Sequence, residues 1–166
     1  MPKLNFVKKA RKTIRGTGIK KGDSYYWWKF RFGGKRVSKT RPRRSQLTES
    51  DFYASMWDWE DSLEVKGPFT ADDCESLAGD LESIADEVES LGQDQDEKLN
   101  NMPDALQESD MGELLRSRSE GCERIADELR TAADTIRDLP DDEDDDAKNY
   151  ADDAQEAIGQ ISWDCD

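Results

Sequence analysis

Residues 70–92 read TADDCESLAGDLESIADEVESLG. Leu77, Leu81, Ile84, Val88 and Leu91 recur in alternating steps of four and three, the period of a helix that buries one narrow seam. Thr70 is placed to cap this helix. Asp72, Asp73 and Glu75 occupy its first turn, where the macrodipole favours anions. Gly92 predicts the stop.

The pattern continues downstream. Residues 93–110, QDQDEKLNNMPDALQESD, predict a short helix and a turn around Pro103, with Leu99, Met102 and Leu106 turned inward. Ser109 caps a second long helix. Its expected seam is Met111, Leu115, Cys122, Ile125, Leu129, Ala132, Ile136 and Leu139, with Arg118 at one seam position and Pro140 as the stop. The run DDEDDD at 141–146 reads as a solvated anionic turn. A last helix presents Tyr150, Ala154, Ile158 and Ile161 and frays near Trp163. Upstream, Thr48 and Asp51 suggest a capping box for a helix that buries Phe52, Met56, Trp59 and Leu63, and Gly67-Pro68 reads as its end and as a hinge. The simplest architecture is an antiparallel hairpin, 70–91 against 110–139, filled out to a bundle by the first and last helices. Seams that meet across two chains, as a homodimer, fit the same pattern.

Charge divides the chain. Residues 1–45 hold sixteen of the 24 Lys and Arg and a single acid, Asp23, a net of +15, while residues 46–166 carry −30. Two jobs or two partners are implied. Residues 1–22 are expected to be a flexible or partly ordered basic arm. Residues 23–40 are different: DSYYWWKFRF, then Gly33-Gly34, then KRVSKT, the signature of a β-hairpin with a two-residue turn. That turn pairs Arg31 with Arg36, Phe30 with Val37 and Lys29 with Ser38. One face then holds Tyr26, Trp28, Phe30, Phe32 and Val37. The other holds Tyr25, Trp27, Lys29, Arg31 and Arg36. Trp28, Phe30 and Phe32 read as core. Arg31 opposite Arg36 is a repulsive cross-strand pair that an anion would relieve. Tyr25 and Trp27 are placed to stack on bases, and Arg41, Arg43 and Arg44, with Pro42 holding the chain extended, suit phosphate contacts.

The expected fold is therefore α+β, mainly α: a basic arm and β-hairpin over 1–45, a connecting helix over 46–66, and an acidic helical bundle or coiled coil over 67–166. Several functions are disfavoured. With 38% charged and 34% hydrophobic residues the chain cannot fill a thick core. It has no histidine, which removes the usual general base and the commonest zinc ligand. There is no Cys-x-x-Cys pair, phosphate-binding loop or dinucleotide fingerprint; Gly16-Thr17-Gly18 merely precedes a basic stretch. Asp94, Asp96 and Glu97, like 141–146, lack the EF-hand pattern and read as solvated charge. No enzyme activity, metal or cofactor is expected. No apolar run approaches the roughly 18 residues of a membrane span. No apolar stretch follows the basic N-terminus, which argues against a secretory leader. Cys74, Cys122 and Cys165, odd in number and far apart, suggest a reducing cytoplasm.

Two resemblances add to this. YYWWKFRFGGKRVSKT (25–40) resembles the hairpin of the arm-binding domains of phage and transposon tyrosine recombinases, in which a three-stranded sheet reads DNA; the catalytic domain of that family is absent. LNNMPDALQESDMGELLRSRSEGCERIADELRTA (99–132) resembles a group of small uncharacterised tailed-phage proteins that share Met-Pro-x-x-Leu-Gln-x-Ser before a long helix. Some of these begin with a segment like GTGIKKGDSYYWWKFR (16–31). This second resemblance covers most of the chain. It implies phage origin and expression in the cytoplasm of an infected bacterial host, and it implies no activity.

The leading expectation is a non-enzymatic accessory protein that binds DNA or RNA through Tyr25, Trp27, Lys29, Arg31, Arg36, Arg41, Arg43 and Arg44. The bases could instead neutralise the chain's own acidic helices. A second expectation is a DNA mimic, an anti-defence factor whose acidic helices bind a basic host protein. A third is a virion or assembly component.

Overall fold

The computed structural model describes residues 1–139 and 149–165. Pro140 and the acidic run 141–146 lie outside these. The chain is mainly helical, with a small antiparallel sheet at its N-terminus, as the residue pattern requires. It divides into two compact units, Met1–Asp58 and Trp59–Asp166.

The first unit holds β1 (Asn5–Val7), β2 (Tyr25–Lys29) and β3 (Lys35–Ser38) in the order β1-β2-β3. Residues 1–22 are not a loose arm. Strand β1 pairs Phe6 with Tyr26, and the segment after it folds back on itself. Ile14 N donates to Ile19 O at 2.9 Å, and the Thr17 hydroxyl donates to Ile14 O at 2.9 Å. Gly16 and Gly18, at φ of +78° and +69°, make this reversal. Asp23 accepts from Lys20 N at 3.1 Å and pairs with Lys39 at 3.2 Å. The Lys20 amide, then the Lys39 ammonium, hold its carboxyl below the ordinary aspartate range. Thus the one acid among the first 45 residues joins the folded arm to the segment beyond β3.

The hairpin register also differs from expectation. Lys29 faces Lys35, Trp28 faces Arg36, Trp27 faces Val37 and Tyr26 faces Ser38. The loop therefore spans Phe30 to Gly34 instead of two glycines. Phe30 is the reason: it is buried, and a Cβ on Gly33 would lie 3.3 Å from its Cβ, so the loop closes over this ring. An odd shift moves every β3 side chain to the opposite face. Arg31 and Arg36 are no longer opposed. The like-charged pair is Lys29 with Lys35.

Helix α1 (Asp51–Ser62) begins after Ser50, not Thr48; Thr48 Oγ1 accepts from Ser50 N instead. Phe52, Met56 and Leu63 are buried as expected. The helix ends at Ser62, ahead of Gly67-Pro68, and Trp59 Nε1 donates to Glu87 at 2.8 Å.

In the second unit α2 (Ala71–Asn100) packs on α4 (Asp110–Arg137), with a one-turn α3 (Asp104–Gln107) between them and α5 (Ala151–Gly159) against α4. Contacts of Arg137 with Glu82, Arg130 with Glu89 and Cys122 with Gly92 fix an antiparallel hairpin. Thr70 and Asp73 form the capping box, and Ser109 caps α4.

Gly92 does not stop α2. A Cβ there would lie 2.8 Å from Cys122 Cβ and 3.4 Å from Ser119 O, so its lack of a side chain lets two backbones approach within one continuous helix. The deepest line of α2 is accordingly Cys74, Ala78, Leu81, Ala85, Val88, Gly92, Gln95 and Leu99; Leu77, Ile84 and Leu91 flank it, half-buried. On α4 the matching line is Gly112, Leu115, Ser119, Cys122, Ala126, Leu129, Ala133 and Ile136. Ser119 takes the inward place expected of Arg118, which is half-buried. Ile125 and Ala132 are buried beside this line, because α5 covers α4 from another side. Met111 and Leu106 are 55% and 50% exposed, contrary to expectation. Gly112, packed on the Gln107 carbonyl, fills the inward position at that end.

The C-terminal segment does not fray into solvent. Tyr150, Ala154, Ile158 and Ile161 are buried, and Arg124 donates to the carbonyls of Ser162 and Asp164. Cys165 is buried beside Gly121 of α4. Its thiol, followed by burial, pushes the Cys122 thiol well above the ordinary cysteine range.

Two outcomes are expected. Gly92→Ala destabilises the hairpin by about 1–3 kcal/mol through overpacking, whereas Gly79→Ala, whose Cβ meets nothing within 4 Å, stabilises it by up to about 1 kcal/mol; urea denaturation followed by helical circular dichroism separates them. Because the Asp23 pKa is depressed in the folded unit, its contribution is present at neutral pH and is lost as pH falls from the ordinary aspartate range through the folded pKa. Amide exchange at Lys20 should accelerate, relative to its intrinsic rate, across that interval, and Asp23→Asn should remove the step.

Candidate nucleic-acid interface

The sheet sorts the N-terminal side chains onto two faces. Val7, Tyr25 and Trp27 share one face with Lys29, Lys35 and Val37, by their register positions. Phe6, Tyr26, Trp28, Arg36 and Ser38 share the other. Trp28, at 3% exposure, and Phe30 are core, whereas Phe32 is 88% exposed and contributes nothing to it.

Of the residues singled out from sequence, Tyr25, Trp27 and Lys29 come together on the first face. Tyr25 and Trp27 are half-buried and Lys29 is exposed. Arg36 is on the opposite face, its guanidinium 5.1 Å from the Phe30 ring centre. Arg31 belongs to the loop, 5.3 Å from the exposed Phe32 ring. Arg41 and Arg43 are exposed in the segment after β3. Arg44 lies over the Trp57 ring at 4.2 Å, a cation–π contact. The expected constellation is thus split between two faces and a following segment.

The structure also supplies side chains that sequence reasoning missed. Lys35 replaces Arg36 beside the aromatics, with Nζ 4.3 Å from the centre of the Trp27 ring. Lys9, Arg11 and Lys12 are held near the same face by the folded arm. Together with Val7, Ala10, Ile14, Thr17, Tyr25, Lys35 and Val37 they line a groove of about 590 Å³. The lining contains four cations and no acid. Among the described residues none of these four forms an ion pair. One local signal pointed here: Gly16-Thr17-Gly18 between Ile14 and Ile19 is a reversal flanked by two apolar residues, which marks folded structure in place of a free basic arm.

A second groove, of about 550 Å³, lies in the helical unit and is lined by Glu120, Glu123, Arg124, Asp127 and Glu128, with Thr131 and Thr135. Its charge is opposite. Asp94, Asp96 and Glu97 are exposed along α2, and among the described residues no group of His, Cys, Asp and Glu is arranged to hold a metal ion. No helix of the described residues is long and apolar enough to cross a membrane.

What the first face can do chemically follows from its composition. Two half-buried aromatic rings offer flat apolar surface, and the flanking ammonium and guanidinium groups offer hydrogen bonds to anionic oxygen. Comparison with protein-family models, curated proteins and solved structures finds no match to this chain.

Proposed function

We propose that this chain is a non-enzymatic phage accessory protein that binds nucleic acid on the Tyr25–Trp27 face of its N-terminal unit. One observation carries this: Lys9, Arg11, Lys12 and Lys35 line one groove at that face and, among the described residues, form no ion pair. Cations held close together repel one another, and a phosphate backbone relieves the repulsion while releasing its own counterions. Tyr25 and Trp27 add stacking area, with Lys29 beside them and Arg41 and Arg43 exposed further along the chain. Arg31 and Arg36, placed off this face, are expected to contribute through long-range attraction only. The likeness of residues 99–132 to tailed-phage proteins supports a setting in the cytoplasm of an infected bacterium.

A second reading, a DNA mimic that binds a basic host protein, draws on α2. Eleven acids lie along its 30 residues, about 45 Å of helix at about 1.5 Å per residue. That is about one carboxylate per 4 Å, against one phosphate per about 1.7 Å of duplex. Glu75, Glu82, Asp86 and Glu89 are moreover engaged by Arg130 and Arg137. Helix α4 adds seven acids, but three of these, Asp127, Glu128 and Asp134, are engaged by arginine as well, so the free carboxylates of the helix pair are sparser than the phosphates of a duplex, which favours the first reading.

Fluorescence anisotropy of labelled oligonucleotides against salt tests the first reading. With four to five phosphate contacts, log K is expected to fall with log salt at a slope of about −3 to −4 on a single strand. Replacing Lys35 by Ala should shallow that slope by about 0.7, while Arg36→Ala leaves it nearly unchanged. Absence of binding at ~50 mM salt, where phosphate contacts are strongest, would sink the proposal. For the second reading, nuclease-treated lysate passed over the full-length protein should yield one discrete basic protein, whose capture survives Lys35→Glu and is lost on replacing Asp94, Asp96 and Glu97 by the neutral amides.

A further inference from the structure

The lining of the groove at the folded arm is specific in two respects. Val7, Ala10, Ile14, Tyr25 and Val37 make it apolar, and Lys9, Arg11, Lys12 and Lys35 make it cationic. Its volume of about 590 Å³ is inside the roughly 300–1,000 Å³ range of sites that enclose small organic ligands. An occupant that satisfies both features has a flat or apolar body and carries negative charge outside that body.

We propose that this groove seats an unpaired nucleotide of a single strand, base inward against Tyr25 and phosphates outward on the lysines and arginine, so that the protein prefers single-stranded to duplex nucleic acid. The inference rests on the nucleic-acid reading above and makes it more definite. In a duplex the bases are stacked within the helix, only their edges reach the grooves, and the phosphates form the outer surface. A duplex can therefore touch the cations but cannot fill the apolar part. A single strand can turn one base out of the stack and place it on an aromatic ring. Tyr25 is the aromatic ring that lines the groove, and Trp27, the next residue on the same face of β2, lies outside its lining with Lys35 Nζ 4.3 Å from its ring centre.

The arm gives the groove its wall. Ile14 is held by its hydrogen bond to Ile19 and by the Thr17 hydroxyl, and Ala10 N donates to Asp23 O at 2.8 Å. The groove is thus built before ligand arrives, which lowers the entropy lost on binding. An acidic peptide shares the charge of a nucleotide strand but not its succession of flat rings, and it is one outcome of the test.

The full-length protein is titrated by anisotropy with labelled oligothymidylate, with duplex DNA of the same length and with oligoglutamate, all at ~50 mM salt. Methyl resonances of Val7, Ala10, Ile14 and Val37 are followed in parallel. Oligothymidylate should bind about tenfold more tightly than duplex, and the methyl resonances should move with oligothymidylate alone. Tyr25→Leu should weaken the single strand about tenfold and the duplex little, and Lys12→Glu should weaken both. If oligothymidylate binds while the methyl resonances stay fixed, or single strand and duplex bind alike, the groove is not the seat, and the nucleic-acid reading stands without it. Equal methyl shifts with oligoglutamate overturn the nucleotide assignment. No binding of either nucleic acid overturns the underlying reading as well. The methyl readout on the unmodified protein keeps the test valid should Tyr25→Leu disturb the sheet.

Discussion

The second unit depends on how closely α2 and α4 approach. Where Gly92 meets Ser119 and Cys122 there is no room for even one methyl group. Small residues recur every seventh position on both helices: Ala78, Ala85 and Gly92 on one, Gly112, Ser119, Ala126 and Ala133 on the other. Between them Leu81, Val88, Leu115, Leu129 and Ile136 interdigitate. A thin seam of this kind suits a sequence so poor in apolar residues, because close backbone approach wins dispersion contacts that few side chains could otherwise supply. It also requires register, since sliding one helix by a turn would bring Leu or Val against a backbone.

Charge must be managed around that seam. Helix α2 carries eleven acids and one lysine, so it repels any acidic neighbour. Helix α4 answers with Arg130 and Arg137, seven residues apart, each reaching across to two carboxylates of α2. Arg124 does a different task, joining Glu128 and the C-terminal carbonyls. Three of the eight bases in residues 59–166 thus serve to hold this unit together. In the N-terminal unit the proportions are reversed: Asp23 is the single acid of the first 45 residues, and it is used in holding the folded arm. Among the described residues most of the surrounding cations form no ion pair, and this asymmetry is what favours the proposed ligand-binding role of that unit.

Legibility in the sequence varied by element. Thr70 and Ser109 as caps, the buried Phe52, Met56 and Leu63, and the inward Tyr150, Ala154, Ile158 and Ile161 all follow from spacing. Leu81 and Val88 belong equally to the bulky line 77–81–84–88–91 and to the small line 78–81–85–88–92, so period alone cannot tell which flank lies deepest. Gly92 read as a stop because glycine is a poor helix former in isolation; against Cys122 it is needed. Within the candidate site, Tyr25, Trp27 and Lys29 were legible as one alternating face. Lys35 and Arg36 exchanged places because Phe30 is buried and lengthens the loop.

What the sequence determined by itself is therefore local: the main helices and the two strands of the hairpin, though not β1 or the continuation of α2 past Gly92, where charge of each sign collects, and which residues of β2 point the same way. These follow from periodicities of 3.6 and 2 and from composition, which no distant contact alters. Only the tertiary structure decided the phase of the α2–α4 seam, the register of β3 and the order in residues 8–24. Each depends on a contact outside the local repeat, Gly92 with Cys122, Trp28 with Arg36, Asp23 with Lys39, and no local pattern records which of several equally spaced partners a side chain will meet.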